Sequence, residues 1–175
     1  EDDVRFLRNP EILPPHNLFL QTEEISEEIP ENTLGKSVFV FSQELPDGAS
    51  ATDVEVDFST ESHRVNYTFD PEKNCYQRLQ KYELVDLCFS NIAVMETEMW
   101  LLEDNTDKGR LGVRTTGNGK ATIFRNGIVI AGQWERSEDE AIRFVNAEGD
   151  DIALNPGTTI ISAIDKSEKL RFSGQ

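Results

Sequence analysis

GNGKATIFRNGIVIAGQWER, residues 117–136, is the stretch that decides the fold. Two β-rich runs, 121–124 and 128–131, flank Arg125-Asn126-Gly127. Asn-Gly between such runs predicts a two-residue hairpin, because a type I′ turn requires positive φ at both central positions. Gly117 and Gly119 open the hairpin, and Gly132 stands two residues before Trp134. That spacing predicts a bulge or a close backbone approach. The rest of the chain is expected to organise around this β element.

Downstream, residues 141–145 turn at 146–149 and pair back through 152–154. Asn155-Pro156-Gly157 makes a tight turn, 158–164 reads as a last core strand, and the charged tail from Lys166 ends in one edge strand. Upstream, 110–115 leads into the hairpin from a polar turn at 104–109. Before it come 82–88, a strand, and 92–102, apolar and long enough for a central strand. Residues 65–69 and 75–79 form a second hairpin around 70–74, with Tyr76 and Arg78 on one face. Residues 53–58 alternate strictly, burying Val54, Val56 and Phe58 and setting Asp53, Glu55 and Asp57 on the opposite face. A short apolar strand is expected at 37–41, before the turn Pro46-Asp47-Gly48.

Pro10, Pro14 and Pro15 forbid a regular helix over residues 1–21, so this part reads as an extended arm whose Phe6, Leu7, Leu18, Phe19 and Leu20 pack down. Thr22 can cap a short helix that Pro30 ends after Ile29. Many short strands with regular turns predict a mainly β, β-rich α+β fold: an antiparallel sandwich or partly open barrel, with one short N-terminal helix and an extended N-terminal arm. Two parts follow, residues 1–35 as arm and helix and 36–175 as the β-rich domain.

Acidic residues outnumber basic ones 33 to 17, for a net charge of −16. Such a surface repels phosphate backbones and anionic lipid heads, which argues against nucleic acid and against membrane contact by this segment. No apolar run approaches the ~18 residues that a membrane span needs. The two cysteines, Cys75 and Cys88, do not form a zinc or thioredoxin motif. A cross-hairpin disulfide and two free thiols both remain open. The chain starts at Glu1 without a leader and is expected to be a piece of a longer protein.

Motifs for catalysis do not survive inspection. Gly117-Asn-Gly119-Lys120-Ala121 lacks the first glycine and the final Ser or Thr of a phosphate loop, and it lies between strands. Asp104 to Gly109 carries Thr106 and Lys108 where a calcium loop needs oxygen ligands. Two histidines, His16 and His63, are too few for a histidine metal site, so neither a metal nor a cofactor is expected. His16, held by two prolines and followed by Asn17, is the better functional candidate of the two. Trp134 reads as a sugar or peptide platform or as a core residue. Arg78 and Arg110 are cations that a carboxylate such as Asp86 would neutralise.

Several of these pieces occur in a familiar order: Pro15-His16-Asn17-Leu18, Ala51-Thr52, Tyr76-x-Arg78, Val85-Asp86, Asn91-Ile92, Gly109-Arg110, Gly117-x-Gly119, Phe124-Arg125-Asn126-Gly127, Gly132-x-Trp134 and Leu154-Asn155-Pro156-Gly157-x-Thr159. In this the chain resembles the C-terminal domain of the YerB-like lipoproteins, a bacterial extracytoplasmic family also known as DUF3048. Tyr67 and Ile160 stand where that family usually places Trp. The resemblance implies a two-domain parent with a lipid-anchored N-terminus, and an extracytoplasmic, cell-surface site. It supplies no reaction. The expectation is a non-enzymatic binding module with a protein or cell-wall partner or the absent N-terminal domain, any groove being lined by His16, Asn17, Tyr76, Arg78, Asp86, Arg110 and Trp134. Two alternatives are an envelope-polymer hydrolase with Asp86 as acid or base, and a support domain for the N-terminal half. A large apolar patch would favour the last.

Overall fold

The computed structural model describes residues 6–13, 18–20, 39–58, 63–80, 83–103 and 109–174. The chain divides into two compact units, Glu1–Ser37 and Val38–Gln175. In the first, β1 (Phe6–Arg8) and β2 (Leu18–Leu20) pair as an antiparallel ladder. The sequence pattern of the arm did not announce that pairing. The helix expected over 22–29 lies outside the described residues.

The second unit holds the β-rich body. Its first strands are β3 (Ala49–Ser50), β4 (Asp53–Asp57), β5 (Arg64–Asp70), β6 (Cys75–Gln80) and β7 (Glu83–Phe89). Then come β8 (Asn91–Glu96), β9 (Met99–Leu101), β10 (Leu111–Val113), β11 (Gly117–Arg125) and β12 (Ile128–Arg136). The last are β13 (Arg143–Val145), β14 (Thr159–Ile164) and, after a 3₁₀ turn at Ser167–Lys169, β15 (Leu170–Ser173). One sheet runs β13-β12-β11-β8-β14, with β3 also on β12; the other runs β15-β4-β5-β6-β7. The sheets stay open rather than closing into a barrel.

The expected hairpin is the spine of the first sheet. Asn126 and Gly127 take φ of 55° and 70°, and nine regular pairs run from Arg125–Ile128 to Gly117–Arg136. The glycines produce close approach and no bulge. A Cβ on Gly119 would stand 2.5 Å from the Glu96 carbonyl oxygen, and one on Gly132 2.6 Å from that of Val145.

Both faces of this sheet are covered, as its residue alternation requires. Ile92, Val94, Phe124 and Ile164 face the second sheet and pack with Val54, Val56, Val65, Tyr67 and Tyr76. Ala93, Met95, Ala121, Ile123 and Trp134 form a second core on the far face with Phe144, Ile152 and Leu154. There Phe39 stacks on Phe144, ring centres 6.0 Å apart. Strand β8 is therefore buried on both sides, which is why its run is continuously apolar.

Three expectations need correction. The described part of the run expected as a strand at 37–41, residues 39–41, forms none; Val40, Phe41 and Ser42 make only a parallel bridge to Leu154. The run 92–102 is two strands, not one. Thr97 donates its amide to the Ile164 carbonyl and its hydroxyl to the Arg114 carbonyl, 2.8 and 2.7 Å, and beyond it β9 pairs only with β10. The sheet is also not wholly antiparallel, since β14 runs parallel to β8. The chain between β13 and β14 crosses from one edge of the sheet to the other and arrives in β8's own direction. The alternating strand β4 and the terminal edge strand β15 form as expected, pairing Val54 with Phe172 and Val56 with Leu170.

Cys75 and Cys88 form a disulfide between β6 and β7, with Cα atoms 5.6 Å apart. It ties the edge strand β7 to its neighbour.

Candidate functional site

Of the seven residues picked from sequence, the five described ones do not share one groove. His16 and Asn17 lie outside the described residues. Tyr76 is fully buried between the sheets, where its hydroxyl donates to the Ala51 carbonyl at 3.0 Å and its ring packs on Phe69 and Phe124. Burial raises its pKa above the ordinary phenol range, because the phenolate would lose its water. Trp134 is enclosed on the other side of the first sheet, with 0% exposure, so it offers no platform. Its indole nitrogen donates to the Glu96 carbonyl at 2.8 Å.

Arg78 lies opposite the stretch that holds Asp86. The β6–β7 register shifts, Gln77 pairing with Cys88 and Leu79 with Leu84, so the stretch 85–87 bulges opposite Arg78. On the other side Arg78 stands across from Tyr67, whose pKa burial raises and the Arg78 charge partly restores. Asp86 is exposed, not enclosed as a general acid or base would need to be. Arg110, also exposed, immediately precedes β10.

Each carboxylate of β4 has a protein partner, mostly on a neighbouring strand. Glu55 meets Arg171 at 2.5 Å, Asp57 meets Arg64 at 3.2 Å, and Asp53 accepts from Thr52 and Thr68. Among the described residues, no group of three or more His, Cys, Asp or Glu is arranged to hold a metal ion.

Sequence reasoning missed a buried polar row across three strands. Arg125 of β11 lies beside Asn91 of β8, which lies beside Thr159 of β14. The Asn91 amide donates to the Asn155 carbonyl and the Thr159 hydroxyl, both at 2.9 Å, while its oxygen accepts the Asn155 backbone N–H at 2.7 Å. Arg125 donates to the Asn155 side chain at 2.8 Å and to the carbonyls of Ser42 and Glu44 at 2.9 Å each. Burial lowers the guanidinium pKa, and nearby Glu44 opposes that. These partners are mostly backbone oxygens, which points to holding the chain rather than to chemistry. The signal available was the pair of motifs Phe124-Arg125-Asn126-Gly127 and Leu154-Asn155-Pro156-Gly157, although their meeting in space is not written in either.

The second missed feature is the ribbon β9–β10. It continues β8 and β11 beyond a break and stands as its own two-stranded sheet. Trp100 lies over Gly112 of the opposite strand, where a Cβ would run into the indole ring. The ring nevertheless remains 48% exposed, and the facing pair Leu101 and Leu111 are 64% and 55% exposed. Strand alternation sets Trp100 on one face of the ribbon and the Leu101–Leu111 pair on the other, so both faces carry exposed apolar side chains on a strongly acidic chain. Single exposed leucines are ordinary; exposed apolar side chains on both faces of one short ribbon make it a candidate contact element.

The hairpin tips of the two sheets also meet. Asn126 donates to the side chain of Asn74, 3.1 Å, both residues at positive φ. The open groove between the tips is lined by Leu45, Thr52, Phe69, Pro71, Asn126 and Ile128, and none of the five described candidates lines it.

A family model described as "Protein of unknown function (DUF3048) C-terminal domain" matches residues 54–161, more than half of the chain. The crystal structure of the YerB protein from Bacillus subtilis superposes with a TM-score of 0.74 at 20% sequence identity. That match covers 98% of this chain and 60% of the YerB chain. No curated protein matches significantly.

Proposed function

Because this chain belongs to the family of the DUF3048 C-terminal domain, we propose that it is a non-enzymatic interaction module of a bacterial, lipid-anchored surface protein, working outside the cytoplasm. The observation that carries the reading is the apolar ribbon, with Trp100, Leu101 and Leu111 held in solvent by a chain of net charge −16. A surface that costs solubility is usually retained for a partner. The polar residues of the family pattern support the same reading, since Tyr76, Arg125, Asn155 and Trp134 all donate to oxygens within the fold. The Cys75–Cys88 disulfide supports the compartment, because such bonds persist mainly in oxidising surroundings.

The ribbon also favours a second reading, a support domain whose partner is the N-terminal half of the same protein. The two readings share a contact surface and differ in the partner.

One experiment addresses compartment and disulfide together. Intact cells producing the full-length protein are treated with a membrane-impermeant maleimide, with and without an impermeant reductant. The reading expects Cys88 to be labelled only after reduction. Labelling without reductant, or only after lysis, would contradict it. Soluble fragments released from wall polymer by the purified protein would overturn the non-enzymatic part.

A further inference from the structure

We infer that the outer edge of β14 is a docking site for an extended, apolar, non-acidic segment of a partner polypeptide, added to the first sheet as a further strand. The inference rests on the interaction reading above and names the kind of partner. β14 ends the order β13-β12-β11-β8-β14, and among the described residues β8 is its one strand neighbour. In a parallel ladder, alternate residues turn both main-chain groups toward the same neighbour. The Thr158 and Ile164 carbonyls accept from the Asn91 and Thr97 amides on the β8 side. The even positions therefore serve β8, and Thr159, Ile161 and Ala163 turn their N–H and C=O groups outward.

Sheet edges are ordinarily guarded by charge, by shortness or by a bulge. The other edges of the two large sheets carry such guards. β13 has three residues, with Arg143 ion-paired to Glu135 and Asp151. β7 bulges opposite Arg78, carries the exposed Asp86 and is tied down by the disulfide. β15 carries Arg171, paired to Glu55. β14 has no such guard: Thr159-Ile160-Ile161-Ser162-Ala163-Ile164 holds no charge, no proline and no glycine. Ile161 on that edge is 40% exposed.

The edge itself states what fits. Its outward amides are matched by another backbone in extended conformation, the mode in which a peptide extends a sheet. Side chains alternate, so Ile160 packs toward the core between the sheets while Ile161, with Ala163, lies on the opposite face. An added strand meets an apolar neighbour on each face, which selects an apolar segment. The net charge of −16 disfavours an acidic one, and it equally opposes two copies joining edge to edge.

The probe is an end-capped peptide of alternating threonine and valine with a lysine at each end. Hydrogen exchange is read at the Ile161 and Ala163 amides of the full-length protein, with and without it. The expected result is saturable slowing of both amides by about tenfold, the equivalent of one added hydrogen bond, with β7, β13 and β15 unchanged. The same peptide with its internal amides N-methylated keeps charge and side chains, cannot pair, and should leave exchange unaltered. Ile161→Pro removes an outward donor that β8 does not use, and should weaken binding about tenfold. Should the proline variant fail to fold, Ile161→Lys puts the missing guard on the edge and should weaken binding likewise.

No slowing, or equal slowing by the N-methylated peptide, would overturn the inference. So would slowing confined to another edge, or binding that the Ile161 variants leave intact. Amides already protected without peptide would overturn it too. Protection independent of protein concentration would mean that the same chain covers the edge, and protection that grows with concentration would mean a second copy. Each of these outcomes leaves the interaction reading standing, since that reading is tested separately, by compartment and by turnover.

Discussion

The chain uses one device twice, with opposite results. Gly119 faces Trp134 across the β11–β12 hairpin, and Gly112 faces Trp100 across the β9–β10 ribbon. In both, the missing Cβ leaves room for an indole to lie across the neighbouring strand. In the hairpin that indole reaches over β11 to the Glu96 carbonyl of β8, beneath Arg114 at 5.3 Å from the ring centre, and is fully enclosed. In the ribbon the ring stays half in water. The pairing is the same; the strand next door differs. Burial, not local sequence, decides whether a tryptophan holds a fold or presents a surface.

The strongest break of this contrast is Trp134→Ala. It removes a large enclosed side chain and orphans the Glu96 carbonyl, and should cost about 3–5 kcal/mol in denaturant unfolding. Next comes Arg125→Leu. Three oxygens lose their donor, partly offset by relief of a buried charge, for a net loss of about 2 kcal/mol in the same assay. Such a loss would assign this arginine to the fold. The smallest effect is expected from Trp100→Ala, below about 1 kcal/mol, because the ring is already half solvated.

Much of the hairpin was legible. Asn126-Gly127 fixes the turn type, and counting pairs back from it places Gly119 opposite Trp134 without any structure. Strict alternation likewise identified the buried side of β4. The ribbon was not legible, because the apolar run from Ile92 to Leu102 passes through the break without a change of pattern. Thr97 marks that break only through hydrogen bonds to Arg114 and Ile164, residues far along the chain. The parallel pairing of β14 was hidden for a similar reason: side-chain alternation is identical in parallel and antiparallel ladders. Asn91 and Asn155 stood in the family pattern, but their union spans 64 residues and no local motif encodes it. The expected groove failed at Tyr76 and Trp134, because an aromatic with a polar tip looks the same in sequence whether that tip meets a ligand or a buried carbonyl.

The paired glycines test the central claim most directly. Unfolding free energies of Gly119→Ala and Gly112→Ala would be measured side by side. At Gly119 the new methyl meets the Glu96 backbone, which cannot swing away, and the loss should be about 1–3 kcal/mol. At Gly112 it meets only the half-exposed ring of Trp100, which can turn into solvent, and the loss should stay below about 1 kcal/mol. Equal losses, or a larger one at Gly112, would mean that the ribbon holds the fold and is not the surface it offers to a partner.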